Sequence, residues 1–203
     1  MNKRGNLIIV SGPSGVGKGS ITEIVRNIDE NISFSVSATT RLPRKGEVDG
    51  KHYYFIDKEQ FLDRLNKGEF LEYNEHFDNY YGTLKSEVDK FLSQGKDVIL
   101  DIEVVGAKKL KDSGVKAIFV FVLPPSLNEL KRRIKNRGSE SEEMLEKRIE
   151  RALMEVSYIN HYDYYVINEN LEQSSNDLLN IIKVNRSRVN NEINVVIDNI
   201  LSV

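Results

Sequence analysis

Short apolar runs recur along the chain, and each run is bounded by glycine or by polar residues. Residues 7–10, 98–100 and 118–123 are continuously apolar rather than alternating. Strands that bury side chains on both faces, as in a parallel sheet, have this pattern. We therefore predict three central strands, and a fourth strand in the stretch "YDYYVIN" at 162–168.

Segments with helical spacing separate these runs. The segment after the first run places on one face the residues Ile21, Ile24, Val25 and Ile28. Helices are also predicted over about 84–92 and after Glu103. A further helix begins at Ser126, where Ser126 and Glu129 form a capping-box pattern. Strands that alternate with helices predict an α/β fold with a mostly parallel sheet.

Two regions interrupt this alternation. Residues 37–84 contain aromatic-rich short strands, "HYYFI" and "FLEYNEHF", and one short helix near 58–65. Residues 131–157 are dense in Arg, Lys and Glu, and their apolar stripe consists of Leu145, Ile149, Leu153 and Val156. We predict that both regions are insertions on one core, built from 1–36, 85–130 and 158–203.

The segment after Glu172 is rich in Asn and is still periodic. Its apolar positions are Leu178, Ile181 and Ile182, followed by Ile193, Val196, Ile197 and Ile200. We predict one or two terminal helices packed on the body of the protein. A contact between two copies is the alternative, so the sequence leaves both a monomer and a homodimer open.

Bulk composition argues against several classes of protein. The 203 residues suffice for one domain, and 39% hydrophobic with 30% charged residues is typical of a soluble globular chain. A net charge of −2 argues against a general nucleic-acid binder. The absence of cysteine excludes disulfides and thiolate metal sites and favours a cytoplasmic location. The first apolar run, at 7–10, is too short for a signal-peptide core or a membrane span.

The stretch "VSGPSGVGKGS" at 10–20 has the spacing of a phosphate-binding loop. A predicted strand precedes it and a predicted helix follows it, which is the context that this motif requires. The glycines let successive N–H groups converge, and the helix N-terminus adds partial positive charge there. Lys18 supplies a full charge for the phosphates of a nucleoside triphosphate. The residues predicted to bind this triphosphate are Gly12, Pro13, Ser14, Gly15, Val16, Gly17, Lys18, Gly19 and Ser20.

One position departs from the commonest form of this loop. Gly19 stands where many phosphate-loop proteins have Ser or Thr as an Mg²⁺ ligand, and a hydroxyl comes only at Ser20. Asp101 follows a buried strand and is expected at the sheet edge where ligands bind, with Glu103 in the same cluster. We predict Mg²⁺ near Asp101 and Ser20, and we assign it no direct protein ligand.

Three further stretches give the chain a resemblance to a known family. They are "FSVSATTRLPRKGEVDGKHYYF", "EFLEYNEHFDNYYGT" and "LKRRIKNRGSESEEMLEKRIERA". Together with "SGPSGVGKGS" and "LDIEVVGAK", they resemble the guanylate kinase family, in order from about Gly5 to Asn168. The resemblance implies a three-layer core of the P-loop NTPase type, a GMP-binding region at 37–84 and a lid at 131–157.

The same resemblance implies an activity and its partners. It implies phosphorylation of GMP, and of dGMP, by ATP to give GDP and ADP in purine nucleotide metabolism, with Mg²⁺ as cofactor. The implied GMP-binding residues are Ser37, Arg41, Arg44, Tyr53, Glu72, Tyr81, Thr83, Asp101 and Glu103. The implied catalytic residues are Lys18, Arg41, Arg133, Arg137 and Arg148.

Residue chemistry suits these assignments. Guanine presents N1–H and a 2-amino group side by side, and the carboxylate of Glu72 can accept from both. Adenine presents an acceptor at N1, so the wrong base would leave Glu72 unpaired at a cost of about 1–3 kcal/mol. Ser37 and Thr83 can donate to the guanine O6.

The phosphate-facing residues fit equally well. Two guanidinium forks on either side of Pro43, at Arg41 and Arg44, can grip one phosphate, and tyrosine hydroxyls add neutral donors. Arg133 and Arg137 are four apart on one predicted helix face. The GMP phosphate oxygen is already anionic, so the transfer needs positioning and charge stabilisation rather than a general base.

Two other classes of protein share parts of this pattern. A non-catalytic interaction module of the same family could lose Lys18 and the loop glycines, and here both are intact. A GTPase should carry an N/T-K-x-D motif after a buried strand. The nearest string, "NKGE" from Asn66, ends in Glu and follows a predicted helix. The arginines of 131–157 could instead be ordinary surface residues. In that case they would form salt bridges with Glu142, Glu143 and Glu146.

Overall fold

The computed structural model describes residues 3–76, 78–135 and 142–189, together with residues 197, 200 and 201. Its first half runs β1 (Leu7–Ser11), α1 (Lys18–Ile28), β2 (Ile32–Phe34), β3 (Ala38–Thr39), β4 (Tyr54–Phe55), α2 (Lys58–Asn66), β5 (Phe70–His76), β6 (Asn79–Leu84) and α3 (Lys85–Ser93). Its second half runs β7 (Asp97–Asp101), α4 (Val104–Asp112), β8 (Ile118–Leu123), α5 (Leu127–Lys135), α6 (Glu142–Val156), a 3₁₀ turn (Ser157–His161), β9 (Tyr164–Ile167) and α7 (Leu171–Arg186).

Five strands form a parallel core sheet in the order β2-β7-β1-β8-β9. Four of them, β1, β7, β8 and β9, are the strands predicted from the apolar runs, which confirms the α/β fold. The fifth strand, β2, escaped prediction because it has only three residues and lies at the edge of the sheet.

Helices cover both faces of the core sheet. Ile8 and Val10 of β1 pack against α1 and α7, in one cluster with residues such as Val25 and Ile182. Leu7 and Ile9 point the other way and pack against α3 and α4. Successive side chains of a strand face opposite layers, so a strand between two helical layers is apolar at every position. The three-layer core follows from this packing.

A second sheet lies within residues 38–84 and has the order β4-β3-β6-β5. It has its own small core, in which Phe61 of α2 stacks on Phe70 of β5 with ring centroids 4.3 Å apart. β3 and β4 are parallel, whereas β6 pairs antiparallel with both β3 and β5. The region predicted as the first insertion therefore carries a separate sheet of mixed direction.

The second predicted insertion contains the end of α5 and all of α6. Leu130 and Ile134 of α5 pack with Ala152, and Leu145 and Ile149 lie against them. The prediction that Leu153 belongs to this stripe is wrong, because its side chain is 48% exposed. Consecutive helical residues are rotated by about 100°, so burial of Ala152 turns Leu153 towards solvent.

The terminal region is described in part. α7 packs on the core as predicted, with Leu178 and Ile182 fully buried. Ile193 and Val196 lie outside the described residues. Ile197 and Ile200 are 42% and 66% exposed, so the prediction that they pack on the body is wrong. Within the described ranges, no helix is long and apolar enough to cross a membrane.

Candidate functional site

The glycine loop between β1 and α1 follows a path that side chains would block. Gly15 and Gly17 have φ angles of 87° and 98°. A Cβ at Gly17 would lie 2.4 Å from Asn168 Nδ2, and one at Gly12 would lie 2.3 Å from the Val122 carbonyl oxygen. No side chain caps the N-terminus of α1. The loop and the first turn of α1 thus form a backbone cradle suited to an anion.

Lys18 begins α1 and folds back over this cradle. Its Nζ donates to the Gly12 carbonyl oxygen over 2.8 Å. The same Nζ lies 3.9 Å from Asp101 Oδ1. Val10 of β1 is paired with Asp101 of β7, so the parallel register brings the lysine and the carboxylate to one sheet edge. Ser20 lies in the first turn of α1 and is exposed, as is Gly19.

The Asp101 carboxylate sits in a desolvating environment. Burial raises the pKa of Asp101, Lys18 opposes this shift, and Glu103 adds to it. Its side chain still has 40% of its surface exposed, towards the cleft. A carboxylate in this position favours a nearby cation. The described residues contain no group of three or more acidic or histidine side chains able to hold a metal without other ligands.

A cavity of about 390 Å³ separates the core sheet from the second sheet. It contains seven of the residues predicted to bind GMP: Ser37, Tyr53, Glu72, Tyr81, Thr83, Asp101 and Glu103. His52, Asn74 and Lys109 also line it, and none of these three was predicted. A larger cavity of about 750 Å³ lies at the opposite sheet edge, near Asn6, and contains none of the predicted residues.

Glu72 and Thr83 form a polar pair in the wall of the smaller cavity. The two residues are register partners on β5 and β6, and Thr83 Oγ1 donates to Glu72 Oε1 over 2.7 Å. Burial raises the pKa of Glu72, whereas the hydrogen bonds from Thr83 oppose the shift. The Glu72 carboxylate therefore lines the cavity with one oxygen already oriented and in a largely desolvated position.

Arg41 does not line this cavity itself but lies over Tyr53, which does, and it has a partner that the sequence did not predict. Glu47 accepts from Arg41 in a bidentate pair, with both N–O distances at 2.9 Å. The Arg41 side chain and the Arg44 backbone N–H hold the pKa of Glu47 at about 2. Arg41 also lies over the Tyr53 ring, 5.5 Å from its centroid. Tyr81 stands edge-on to Tyr53 at 6.1 Å, so three predicted phosphate-binding side chains converge.

Arg44, the other predicted phosphate-binding arginine, has no contact with the Tyr53 and Tyr81 rings that the structure describes. It is exposed and does not line the cavity, although its backbone N–H binds Glu47 over 2.6 Å. The only sequence signal for Glu47 as a partner of Arg41 is its position in the same loop, six residues later. No local pattern distinguishes it from a solvated glutamate.

The arginines of α5 and α6 approach the loop from the other side. Arg133 donates from Nη1 to the Val16 carbonyl oxygen over 3.2 Å and from Nη2 to that of Asn168 over 3.0 Å. Arg148 Nη2 contacts Ser14 Oγ at 3.3 Å. The prediction for Arg137 falls outside the described residues. Lys18, Arg133 and Arg148 thus surround the glycine loop.

Arg133 has an acidic partner other than the glutamates that the sequence suggested. Glu129 accepts from Arg133 Nε over 2.7 Å, whereas Glu143 pairs with Lys147. Hydrogen bonds from Arg132 and then from Arg133 hold the pKa of Glu129 at about 2. Its backbone N–H binds Ser126 Oγ as the capping pattern predicts, but its carboxylate is engaged with the arginines.

Asn168, at the end of β9, was a predicted strand residue but not a predicted site residue. Its Nδ2 donates to the Val16 carbonyl oxygen over 2.7 Å, and the residue is only 5% exposed. Together with Arg133, it fixes the outer turn of the glycine loop. The only sequence signal was a polar residue directly after an apolar strand.

Comparison with known proteins gives a consistent result. The guanylate kinase family model matches residues 4–185. The chain is 47% identical to a guanylate kinase of Clostridioides difficile, over 97% of this chain and 96% of that protein. It is 44% identical to one of Carboxydothermus hydrogenoformans, over 92% and 93%. The crystal structure of guanylate kinase from Anaplasma phagocytophilum matches with a TM-score of 0.71 at 31% identity, over 93% and 89%.

Proposed function

Because the chain belongs to the guanylate kinase family, we propose that the cavity between its two sheets binds GMP and that its glycine loop binds the triphosphate of ATP. The protein is a nucleoside monophosphate kinase that phosphorylates GMP with ATP. The observation that carries the proposal is a desolvated carboxylate, Glu72, in the wall of a cavity next to the loop.

On the acceptor side, Glu72 receives the guanine N1–H and 2-amino donors. Thr83 already donates to one Glu72 oxygen, so the carboxylate enters the complex with its orientation set. Ser37 donates to O6, whereas Thr83, whose one hydroxyl proton is committed to Glu72, acts through that carboxylate. Asp101 and Glu103 complete the pocket wall. Charge-assisted hydrogen bonds in a dry pocket favour guanine over bases that lack the paired donors.

The GMP phosphate is gripped at the mouth of the cavity. Arg41 is held by Glu47, the ring of Tyr53 lies beside it, and the ring of Tyr81 packs edge-on against that of Tyr53. The hydroxyls of both tyrosines are proposed to donate to the phosphate. Arg44, which is exposed, reaches the phosphate from the loop. A guanidinium fixed by a carboxylate loses less side-chain freedom when a phosphate binds. Glu47 is therefore a positioning residue in this proposal.

On the donor side, Lys18 and the backbone amides of the loop hold the β- and γ-phosphates. Arg133 and Arg148 lie across the loop, and Arg137 is assigned to the same group from the sequence. These cations stabilise the charge that spreads over the transferring phosphoryl group. The acceptor oxygen of GMP is anionic, so proton removal by a side chain is unnecessary.

Mg²⁺ fits this donor set as a companion of ATP. Gly19 has no hydroxyl, so the residues proposed to approach the ion are Asp101, a carboxylate at the end of β7 beside Lys18, and Ser20. Oxygen ligands from phosphates and water would then dominate its coordination, which suits this ion. When bound, Mg²⁺ neutralises phosphate charge.

We assign regions to these tasks as predicted from the sequence. Residues 37–84 form the GMP-binding part and 131–157 form a lid over a core of 1–36, 85–130 and 158–203. Closure of the lid would exclude water, which otherwise competes with GMP as acceptor. The cytoplasm is the proposed location, and monomer and homodimer remain the two proposed assembly states.

Formation of ADP from MgATP with GMP, dGMP, AMP, CMP or UMP as acceptor tests this proposal. We expect GMP to be the preferred acceptor, with a kcat/KM at least about a hundredfold higher than that for AMP. Equal use of AMP would contradict the role of Glu72. GMP binding without turnover of any acceptor would favour the alternative of a non-catalytic module.

A further inference from the structure

A buried carboxylate lies against the glycine loop, and none of the roles above uses it. Glu155, near the end of α6, is only 8% exposed. Its Oε2 accepts from the Ser14 backbone N–H over 3.3 Å. Its Oε1 accepts from Arg151 Nε over 3.0 Å. One amide of the loop is thus occupied by an anion that belongs to the protein.

This contact has an advantage and a cost. The hydrogen bond ties the first turn of the loop to α6, and Arg148 of the same helix contacts the Ser14 hydroxyl. Ser14 is therefore held both through its backbone and through its side chain. The cost is a negative charge beside the proposed triphosphate site, where little water screens it and where it repels phosphate.

Arg151 is placed to offset that charge. It lies one helical turn before Glu155 and reaches its carboxylate through Nε. The other end of the guanidinium, Nη2, lies 3.1 Å from Glu103 Oε2. Glu103 also accepts from Asn74 Nδ2 over 3.2 Å. The chain of contacts therefore runs from the second sheet through α6 to the glycine loop.

We propose that Glu155 is a positioning residue that holds the glycine loop through Ser14, and that Arg151 neutralises Glu155 so that the loop still accepts the triphosphate of ATP. The inference rests on the proposed function for the identity of that anion. It assigns separate effects to the hydrogen bond and to the charge of Glu155. Its hydrogen bond shapes the loop, whereas its charge opposes the ligand unless Arg151 is present.

Binding of a non-hydrolysable MgATP analogue, measured by calorimetry without acceptor, tests the charge relation. We expect Arg151→Met to weaken binding about fivefold. Adding Glu155→Gln to Arg151→Met removes the uncompensated charge, keeps an oxygen acceptor for Ser14, and should restore binding to within about twofold. Lys147→Met is the matched control, because Lys147 pairs with Glu143 on the exposed side of the same helix.

Three binding results would overturn this relation. They are a double variant no better than Arg151→Met, equal weakening by Lys147→Met, and a Glu155→Gln single variant as weak as Arg151→Met. Glu103→Gln separates the two partners of Arg151. If it reproduced the whole effect of Arg151→Met, the contact with Glu103 rather than with Glu155 would carry the result.

The hydrogen bond is tested by kinetics. Glu155→Leu, which keeps the size but removes the acceptor, should lower kcat about tenfold with an unchanged KM for GMP. Glu155→Gln should retain most of kcat. Equal loss in both variants, or loss explained by a fall in the unfolding midpoint, would refute a positioning role.

Failure of the proposed function has a different signature. If the wild-type protein binds the ATP analogue but forms no GDP, the assignment of the acceptor fails while the relation between Arg151 and Glu155 can still hold. If the wild-type protein binds no ATP analogue, both fail.

Discussion

Single residues in this protein owe their expected properties to what surrounds them. Glu72 is one of many glutamates in a chain with 30% charged residues. It is distinguished by burial, which raises its pKa, and by Thr83, which orients it. Asp101 is similarly distinguished by desolvation opposed by Lys18. Both are groups for which the environment, rather than the residue type, sets the chemistry.

Replacement of Glu72 by Gln should raise the KM for GMP. The amide carries no charge and presents one acceptor where the carboxylate presents two, so we expect about a thirtyfold to hundredfold increase. KM for ATP should change by less than about twofold because the donor loop is untouched. Steady-state kinetics with Glu75→Gln, an exposed residue on the same strand, provides the control.

The pH dependence of the same KM gives an independent check. Burial raises the pKa of Glu72 in the free protein, and the proposed role requires its ionised form to accept hydrogen bonds from GMP. KM for GMP should therefore rise as the pH falls through that raised pKa, and this rise should disappear in Glu72→Gln. A rise that persists in the variant would mean that another group titrates.

At the scale of elements, hydrophobic periodicity located the strands and helices but did not show which of them pack against each other. β1, β7 and β8 were evident as apolar runs, because strands buried on both faces leave no room for polar residues. The stripe of α6 was predicted with one error, Leu153, because helical spacing defines a face only to within one residue. Which helix packs on which face of the sheet depends on partners far away in sequence.

The attachment of α7 to the core depends on such partners. Arg186 Nε donates to Asp97 Oδ2 over 2.6 Å, and its Nη1 donates to Asp29 Oδ2 over 2.8 Å. Asp97 is 2% exposed and also accepts from the Asn6 backbone N–H. One arginine thus joins α7 to the end of α1 and to the start of β7.

Arg186→Met should lower the free energy of unfolding by about 3 kcal/mol, because it leaves a buried carboxylate without its cation. Urea denaturation measures the change. Arg4→Met removes an exposed pair with Asp89 and should cost less than about 1 kcal/mol. Equal losses in the two variants would show that burial of Asp97 does not increase the contribution of its ion pair to the free energy of unfolding.

For the whole molecule, charge placement predicts how stability responds to acid. Interactions with arginine hold the pKa values of Glu47 and Glu129 at about 2, against their usual 4.5. Burial alone would raise the pKa of Asp29, but hydrogen bonds from Asn31 and Arg186 lower it overall. A lowered pKa stabilises the fold above the unfolded-state pKa, and this stabilisation is lost as pH falls through the folded-state pKa.

The free energy of unfolding should therefore fall between about pH 4.5 and pH 2. The raised pKa values of Glu72 and Asp101 act in the opposite direction but at higher pH, above their usual pKa values of 4.5 and 3.8, because those groups are easier to bury when protonated. Denaturant titrations from neutral pH down to about pH 2 measure both effects. A double variant with Glu47→Gln and Glu129→Gln should show a shallower decline, and an unchanged slope would contradict the prediction.

The sequence by itself determined the features that depend on neighbours along the chain. These are the apolar strands, the glycine loop with Lys18, and the position of Asp101 at a strand end. They are readable because backbone conformation and burial on a sheet follow from a few consecutive residues.

Only the tertiary structure decided which distant groups meet. Glu155 reaches Ser14 across 141 positions, and Asn168 reaches Val16 across 152. The burial of such groups and the distances between them set their pKa values and their electrostatic interactions. Neither burial nor distance can be predicted from the neighbouring residues in the sequence. The glycine loop was therefore evident in the sequence, whereas the contact between Glu155 and Ser14 is evident only in the folded chain.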